Sequence, residues 1–340
     1  MKIANFLLSL LVAAGGWALN PASAQNQDFQ TYVRSLAAQA RAEGVREATI
    51  DRMTSNLTPN PRVIELDRSQ PGAVSPPGVF PRLSPYLATH VDSARIAGGR
   101  RMLSAHTVSA AQIEARYGVP RAILFAIWGH ETNYGAYRGD FDLARSLATL
   151  AWEGRRRELF AREFIDLLKV ADRGYPRERL VGSWAGAFGN PQFLPSVYLR
   201  LAADGDGDGR ANIFDNAPDT LASIANYFRD AGWRTGQPWG VRATLPTGAM
   251  PGGLDHRMVS PACPRVHVRH SQWRSVREWR EMGVRPQGSI ADDVMASLFQ
   301  PDGAGTPAWL LTANYRVILE YNCSNYYAMS VGLLADEIAR

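Results

Sequence analysis

Residues 123–135 read ILFAIWGHETNYG. On a helix, residues three, four and seven positions apart share one face. Glu131 therefore shares a face with three apolar residues, Leu124, Ile127 and Trp128. Burial disfavours the charged form of a carboxylate, so we expect the pKa of Glu131 to rise toward neutrality, where the group can give a proton and later take one back. A structural ion pair with an arginine is the alternative interpretation.

Helical spacing of apolar residues recurs along most of the chain. It is found in residues 28–53, 86–103, 109–117, 120–132, 147–170, 219–228 and 328–338. Seven prolines between residues 59 and 85 are incompatible with one long helix, so we expect an extended arm over residues 58–85. The chain is thus expected to be predominantly α-helical.

The composition changes in residues 236–264, which are rich in glycine and proline. Apolar residues alternate with others in residues 239–243 and 266–268, as they do in strands. The β-prone run 315–319 predicts a second edge of the same region within residues 309–321. We therefore expect an α+β protein with a small β-containing insert.

The N-terminus has the pattern of a secretory signal peptide, because Lys2 precedes an apolar stretch and small residues end at Ala24. We expect cleavage after Ala24, which leaves 340 − 24 = 316 residues, and no cysteine follows that could carry a lipid anchor. No later stretch is apolar enough to predict a membrane span. Export permits Cys263 and Cys323 to form a disulfide, with two buried free thiols as the alternative.

The charge of the chain is only mildly basic. Without Lys2 it is 36 − 32 = +4. The basic residues are scattered rather than clustered, which suits an anionic cell-wall glycan and does not support binding of nucleic acid. Histidines show no zinc spacing, and His130 is expected to serve packing or to lie on the surface, since it points about 100° away from Glu131 on a helix.

A second informative stretch, residues 182–196, reads GSWAGAFGNPQFLPS. Its glycines allow close approach of the backbone to a ligand, and Gln192 and backbone amides are suited to line a cleft. A tight turn between helices would also explain the glycines. It explains less readily why serine, glutamine and asparagine are grouped with aromatic residues, so we favour a cleft.

A third stretch, residues 204–215, reads DGDGDGRANIFD and has the arrangement of an EF-hand calcium loop. Oxygen-bearing side chains occupy loop positions 1, 3, 5, 9 and 12, and Gly209 occupies position six, where the loop turns sharply. The predicted metal ligands are Asp204, Asp206, Asp208, Arg210 and Asp215. An acidic turn without metal is the alternative. Calcium would be structural here, with no cofactor needed for catalysis.

Several short motifs follow one another along most of the chain: residues 66–71 (LDRSQP), 117–120 (YGVP), 126–135 (AIWGHETNYG), 146–151 (SLATLA), 182–196 and 321–324 (YNCS). In this order they closely resemble the lytic murein transglycosylase B family, glycoside hydrolase family 103. The resemblance implies a lysozyme-like catalytic core. It also implies a longer calcium loop, in which Asp219 rather than Asp215 is the closing ligand. Asp215 and Asp219 both remain candidates for that position.

The resemblance further implies that Glu131 is the single catalytic acid and base. It implies substrate-binding residues at Ser183, Gln192, Arg155, Arg156, Tyr321, Asn322 and Tyr327, although the run 155–157 leaves the register of the arginine pair open by one position. Tyr134 and Tyr321 are further candidates for stacking on sugar rings.

The reaction that the resemblance implies is non-hydrolytic. Glu131 protonates the oxygen between N-acetylmuramic acid and N-acetylglucosamine, and the C6 hydroxyl of the muramic acid then closes a 1,6-anhydro ring. One carboxylate suffices, whereas most glycosidases use two. Asp140, Asp142 and Glu153 are therefore not expected to act. The alternatives are a hydrolytic muramidase and a non-catalytic, calcium-dependent protein that binds wall glycan.

The expected organisation is a signal peptide (1–24), N-terminal helices with a proline-rich arm (25–85), a lysozyme-like catalytic core (86–235) with an EF-hand-like loop (204–219), a β-containing insert (236–320) and a C-terminal cleft segment with a helix (321–340). We expect a periplasmic protein without a stable membrane anchor. Its expected partners are peptidoglycan glycan strands, with cell-wall enzyme complexes as a further possibility.

Overall fold

The computed structural model describes residues 28–70, 81–246, 263, 266, 270–303 and 305–340. Within them the chain divides into two compact units. The acid unit, named for Glu131, comprises residues 28–70 and 131–223. The sheet unit comprises residues 81–130 and the described residues from 224 onward. The expected signal peptide lies outside the described residues.

Fourteen α-helices and seven β-strands occur in the described part of the chain. The helices are α1 Phe29–Ala42, α2 Glu47–Thr54, α3 Pro61–Arg68, α4 Leu83–His90, α5 Ser93–Ala105, α6 Thr107–Tyr117, α7 Arg121–Thr132, α8 Leu143–Glu153, α9 Arg157–Asp172, α10 Pro195–Leu201, α11 Ala217–Asp230, α12 Val276–Glu281, α13 Ala313–Tyr321 and α14 Asn325–Ala339. The strands are β1 Phe141–Asp142, β2 Val181–Gly182, β3 Gly240–Thr244, β4 Arg274–Ser275, β5 Arg285–Pro286, β6 Met295–Phe299 and β7 Ala308–Leu311. The prediction of a predominantly helical α+β protein is confirmed.

Short acidic side chains start helices of the acid unit. Asp28 accepts a hydrogen bond from the backbone N–H of Thr31 at 3.2 Å and caps α1, and Asp142 accepts one from Arg145 at 3.1 Å and caps α8. Most of α8 is buried, and α8 packs against α9. The short strands β1 and β2 pair in antiparallel fashion beside it, so the start of the glycine-rich segment is fixed next to the start of α8.

The prediction of an extended arm over residues 58–85 is wrong for the described residues of this range, because α3 and the start of α4 lie there. Asn60 starts α3, because its side-chain oxygen accepts hydrogen bonds from two backbone N–H groups at 3.1 and 3.4 Å, and Pro61 takes the first helical position. A proline there lacks only an N–H that has no helical partner in any case. Pro85 likewise lies in the first turn of α4. Residues 71–80 lie outside the described residues.

The sheet unit contains an antiparallel five-stranded sheet in the order β4-β6-β7-β3-β5. Trp279, Leu298 and Leu310 lie in its core and are almost completely buried. The strand expected within residues 239–243 is present as β3. Of the strand expected at residues 266–268, only Val266 is described, and it is not in a strand.

The prediction of a second strand within residues 309–321 is correct only for the first residues of that range. β7 is present, but the run 315–319 lies in α13. Thr312 starts this helix, because its hydroxyl accepts a hydrogen bond from the backbone N–H of Asn314 at 3.1 Å. The residues of the run are mostly buried. A short apolar run is compatible with a buried strand or a buried helix, and its periodicity alone does not distinguish them.

Cys263 and Cys323 form a disulfide in the sheet unit, with their Cα atoms 5.4 Å apart. This is the pairing expected from export. None of the described helices has the length and apolar character needed to cross a bilayer.

Candidate active site

Glu131 lies in the last turn of α7. The apolar residues of its helical stripe, Leu124, Ile127 and Trp128, are at most 3% exposed, as the spacing predicts. Glu131 itself is half-buried and thus less enclosed than the stripe suggests, since α7 ends only one residue later. A half-buried carboxyl group can contact a ligand.

The backbone after Glu131 takes an uncommon conformation. Asn133 and Tyr134 have φ angles of 49° and 59°, and Gly135 follows at 87°. Residues other than glycine rarely adopt the left-handed region, and two in succession must be held by surrounding contacts. Thr132 provides such contacts, because its buried hydroxyl donates to the carbonyl of Asn190 at 3.1 Å and accepts from the N–H of Gly135 at 3.1 Å.

The carbonyl of Asn190 belongs to the glycine-rich segment, residues 182–196. Within that segment the hydroxyl of Ser183 accepts a hydrogen bond from the N–H of Ala187 at 3.0 Å. A Cβ atom on Gly182 would lie 2.2 Å from the carbonyl oxygen of Ala187, so no other residue fits there without movement. The glycine therefore permits a tightly folded loop.

Gln192 connects the same segment to the turn after Glu131 a second time. It has a φ of 51°, and its side-chain Nε2 donates to the carbonyl oxygens of Arg138 at 3.2 Å and Gly189 at 3.0 Å. Two hydrogen bonds of the acid unit thus join the segment that follows Glu131 to the glycine-rich segment.

Other carboxylates of the acid unit have structural partners. Asp142 caps α8 with one oxygen and accepts from Arg177 at 2.7 Å with the other. Glu153 accepts from Arg68 at 3.0 Å. Glu163 is 3% exposed and accepts from the backbone N–H of Ser196 at 3.0 Å and from its hydroxyl at 2.6 Å. Burial raises the pKa of Glu163, and this carboxyl group fixes the end of the glycine-rich segment to α9.

Arg155 and Arg156 lie in the link between α8 and α9. Both contact Asp67 of α3, a buried residue: Arg156 Nη2 donates to Oδ1 at 2.6 Å, and Arg155 Nη1 lies 3.6 Å from Oδ2. Arg157, the alternative member of the pair, instead donates to the carbonyl of Trp152 and lies over the ring of Tyr32. The geometry therefore favours residues 155 and 156 as one pair.

Three predicted substrate residues belong to the sheet unit. Tyr321 packs on Tyr227, with ring centroids 4.7 Å apart. Asn322 ends α13, and its buried Oδ1 has no hydrogen-bond partner within the described residues. Tyr327 is 3% exposed and packs edge-on against His130 at 5.6 Å.

His130 is a buried packing residue. It is 1% exposed, and its Nε2 lies 2.6 Å from the hydroxyl oxygen of Ser330. Burial, with smaller contributions from the charges of Arg95 and His90, lowers the pKa of His130 well below its ordinary value of 6.5. The imidazole is therefore neutral near pH 7.

The acidic loop brings Asp204, Asp206 and Asp208 together, with one carboxylate oxygen of each within 4.8 Å of the others. The backbone N–H groups of Gly209 and Gly207 donate to Asp204 at 2.7 and 2.6 Å and lower its pKa. Both glycines have left-handed φ angles, of 86° and 84°. The loop thus folds around clustered anionic oxygens, which is the donor set that calcium prefers.

The two candidates for the closing ligand differ in their surroundings. Asp215 accepts from Arg179 at 2.5 Å and is more than half exposed. Asp219 is fully buried and accepts from the backbone N–H groups of Gly205 at 2.7 Å and Asn212 at 2.6 Å. Burial raises the pKa of Asp219, and the nearby charges of the loop raise it further.

A mostly helical, lysozyme-like fold with an accessible glutamate at the end of a buried helix defines the class of this protein. A family model described as the transglycosylase SLT domain matches residues 28–336. The chain belongs to this family.

Individual relatives agree with the family. The chain is 34% identical over 226 residues to the membrane-bound lytic murein transglycosylase B of Escherichia coli (strain K12), covering 66% of this chain and 58% of that relative's length. It is similar to SltB3 from Pseudomonas aeruginosa in complex with NAG-anhNAM-pentapeptide, with a TM-score of 0.82, 37% identity and coverage of 92% of this chain and 80% of the other. It is also similar to the Escherichia coli lytic transglycosylase Slt35 in complex with calcium, with a TM-score of 0.75, 27% identity and coverage of 91% and 92%.

Sequence reasoning missed the residues that hold the site together. Asp67 lies in a motif noted above but had no function assigned to it, and Glu163 and Arg138 were not identified. Their partners are 89, 33 and 54 residues away in sequence. No local spacing indicates such contacts. For Glu163 the available signal was an acidic residue among the many apolar residues of α9.

Proposed function

We propose that the protein is a lytic transglycosylase that cleaves the β-1,4 bond between N-acetylmuramic acid and N-acetylglucosamine in peptidoglycan and leaves 1,6-anhydromuramic ends. The observation that carries the proposal is the position of Glu131, half-buried at the end of α7 and followed by a left-handed turn that Thr132 joins to the glycine-rich segment. The family and the anhydro sugar named in the complex of the SltB3 relative support a non-hydrolytic product.

In the proposed reaction, Glu131 first acts as an acid. Its proton passes to the glycosidic oxygen as the bond from that oxygen to C1 of the muramic acid breaks, and N-acetylglucosamine leaves with a free 4-hydroxyl. The carboxylate of Glu131 then takes the proton of the C6 hydroxyl while that oxygen bonds to C1. Glu131 thus gives one proton and regains one, so the reaction needs no second carboxylate. Asp142 and Glu153 instead accept hydrogen bonds from arginines.

The residues proposed to contact the substrate are Tyr134, Arg155, Arg156, Ser183, Gln192, Tyr321, Asn322 and Tyr327. Asn322 is supported by its Oδ1, which lacks a partner in the described part and would be satisfied by an N–H or O–H of the sugar. Tyr327 is the most buried of the group.

Calcium is proposed as a structural ion bound by Asp204, Asp206, Asp208 and the carbonyl of Arg210. In EF-hand loops a backbone carbonyl occupies position seven, and Arg210 holds that position here. Asp219 is favoured over Asp215 as the closing ligand, because Asp215 is paired with Arg179. The calcium complex of the Slt35 relative supports the assignment of the ion.

Export to the periplasm is proposed from the N-terminal pattern, with cleavage after Ala24. N-terminal sequencing of the secreted protein should begin at Gln25. Peptidoglycan strands are the proposed partner.

Replacing Glu131 by glutamine tests the function, because glutamine has a similar size and cannot donate a carboxyl proton. We expect anhydro ends, one water lighter than hydrolysed ends, in mass spectra of sacculi digested by the unmodified protein. Glu131→Gln should lose nearly all activity, by a factor of about 10³ or more, while it keeps its fold. Glu158→Gln, an exposed change in the same unit, is the matched control.

The two alternatives predict other results. Reducing muramic ends would identify a hydrolase. Binding to sacculi without any product from the unmodified protein would identify a glycan-binding protein.

A further inference from the structure

The LDRSQP motif at residues 66–71 takes no part in the reaction proposed above, yet it contains a buried acid. Asp67 is 1% exposed. Its carboxylate accepts from Arg156 at 2.6 Å and lies 3.6 Å from Arg155, which also donates to the backbone carbonyl of Asp67. One buried side chain thus contacts both members of the arginine pair.

Further contacts restrict the same arginines. The guanidinium of Arg156 lies over the ring of Phe160 at 4.8 Å, and its Nη2 is 3.4 Å from the side-chain oxygen of Gln70. The backbone N–H of Arg155 donates to Glu153 at 3.2 Å. Two long side chains are therefore held in one orientation, although each would be flexible in isolation.

The arginines nevertheless remain accessible. The side chains of Arg155 and Arg156 are 38% and 26% exposed. A guanidinium carries five N–H donors in a planar fork, and Asp67 uses only some of them. The remaining donors suit a planar anion such as a carboxylate, which arginine binds through paired hydrogen bonds.

We propose that Asp67 is a positioning residue that holds Arg155 and Arg156 so that their remaining N–H groups bind a carboxylate on the peptide stem of the substrate. The inference rests on the proposed function, in which these arginines contact peptidoglycan. Asp67 does not touch the substrate itself. It fixes the arginines before binding, so their side-chain freedom is not lost when the substrate arrives.

Simple electrostatics predicts the opposite effect of removing Asp67. The group contains three arginines, Arg68, Arg155 and Arg156, and two acids, Asp67 and Glu153, with a net charge of 3 − 2 = +1. Neutralising Asp67 raises this charge to +2 and, by charge alone, should tighten binding of an anion. A positioning role of Asp67 predicts weaker binding of the anion. The direction of the change in KM therefore distinguishes a positioning role from a purely electrostatic one.

The test measures Asp67→Asn on two forms of one substrate: glycan strands with free stem carboxylates, and the same strands after conversion of those carboxylates to amides. We expect KM for the carboxylate form to rise about tenfold with kcat nearly unchanged, and KM for the amidated form to stay within about twofold. Glu153→Gln is the matched control. It removes the same charge but contacts Arg155 only through its backbone, so its KM should remain within about twofold.

A second set of variants tests whether Asp67 acts through Arg156. In the background of Arg156→Gln, adding Asp67→Asn should raise KM less than it does in the unmodified protein, because only Arg155 is then left to position. Should Asp67→Asn fail to fold by circular dichroism, Gln70→Met takes its place, and its KM for the carboxylate form should rise clearly above that of Glu153→Gln while its KM for the amidated form does not.

An unchanged or lower KM of Asp67→Asn for the carboxylate form overturns the inference, as does an equal change for both substrate forms. These outcomes leave the proposed function intact, since the unmodified protein would still produce anhydro ends. The absence of anhydro ends from the unmodified protein would instead refute the proposed function and the inference with it.

Discussion

His130 makes the stability of the sheet unit depend on pH. The residue is 1% exposed, and its pKa is lowered well below 6.5, chiefly by burial. In the unfolded chain it should titrate near that ordinary value. Because the folded-state pKa is the lower one, its contribution to stability is fully present above pH 6.5 and is lost as the pH falls below it.

The magnitude follows from proton linkage. As the pH falls below 6.5, the unfolded state is stabilised by proton uptake at this imidazole, while the buried imidazole of the folded state takes up its proton only at a lower pH. The resulting loss of folded-state stability is negligible at pH ~7.5 and on the order of 1 kcal/mol at pH ~5.5.

The comparison variant is His130→Asn, which retains a polar side chain near Ser330 but does not titrate. Urea unfolding, followed by tryptophan fluorescence at both pH values, gives the free energy of unfolding of each protein. Between pH ~7.5 and ~5.5 the unmodified protein should lose more stability than the variant, by an amount on the order of 1 kcal/mol. Titrating groups that do not interact with His130 occur in both proteins and cancel in the difference. Parallel losses in the two proteins would refute the linkage to His130.

Two further predictions concern the acid unit. Burial raises the pKa of Glu163, so its stabilising contribution is greatest below the ordinary value of 4.5 and falls as the pH rises toward the folded-state pKa. Glu163→Gln should therefore lose less stability than the unmodified protein between pH ~4.5 and ~6.5 in urea unfolding, with Glu158→Gln as the control, and identical pH profiles would contradict this. Calcium at about 100 times its dissociation constant should stabilise the folded protein by about 2.7 kcal/mol. The resulting rise in melting temperature should disappear in Asp204→Asn but persist in Asp51→Asn, and equal rises in both variants would exclude binding at the loop.

The features that the sequence predicted well are those with local causes. The buried stripe of α7 follows from helical periodicity, and the clustered oxygens of Asp204, Asp206 and Asp208 follow from alternating aspartates and glycines. The predominance of helix was correct for the same reason. In each case the contacts are made within a few residues of one another, so the pattern contains the necessary information.

The features that it missed depend on distant partners. Asp67 was visible in the sequence, but its pairing with Arg155 and Arg156 depends on how α3 packs against α8, which these arginines follow. The apolar run 315–319 was assigned to a strand because β-branched residues favour strands, whereas burial and the Thr312 cap stabilise a helix. The partial exposure of Glu131 depends on where α7 ends, and helix boundaries are poorly defined by periodicity.

The bond between Cys263 and Cys323 has a practical consequence for producing the protein. Cys323 directly follows Asn322 and lies two residues after Tyr321, so the crosslink anchors the segment that carries these side chains to a position 60 residues earlier. In a reducing cytosol that segment would keep only non-covalent attachments, such as the hydrogen bond from Asn325 to the carbonyl of Val266. Recombinant material intended for kinetics should therefore be oxidised during expression or refolding, and its free-thiol content should be checked before any rates are compared.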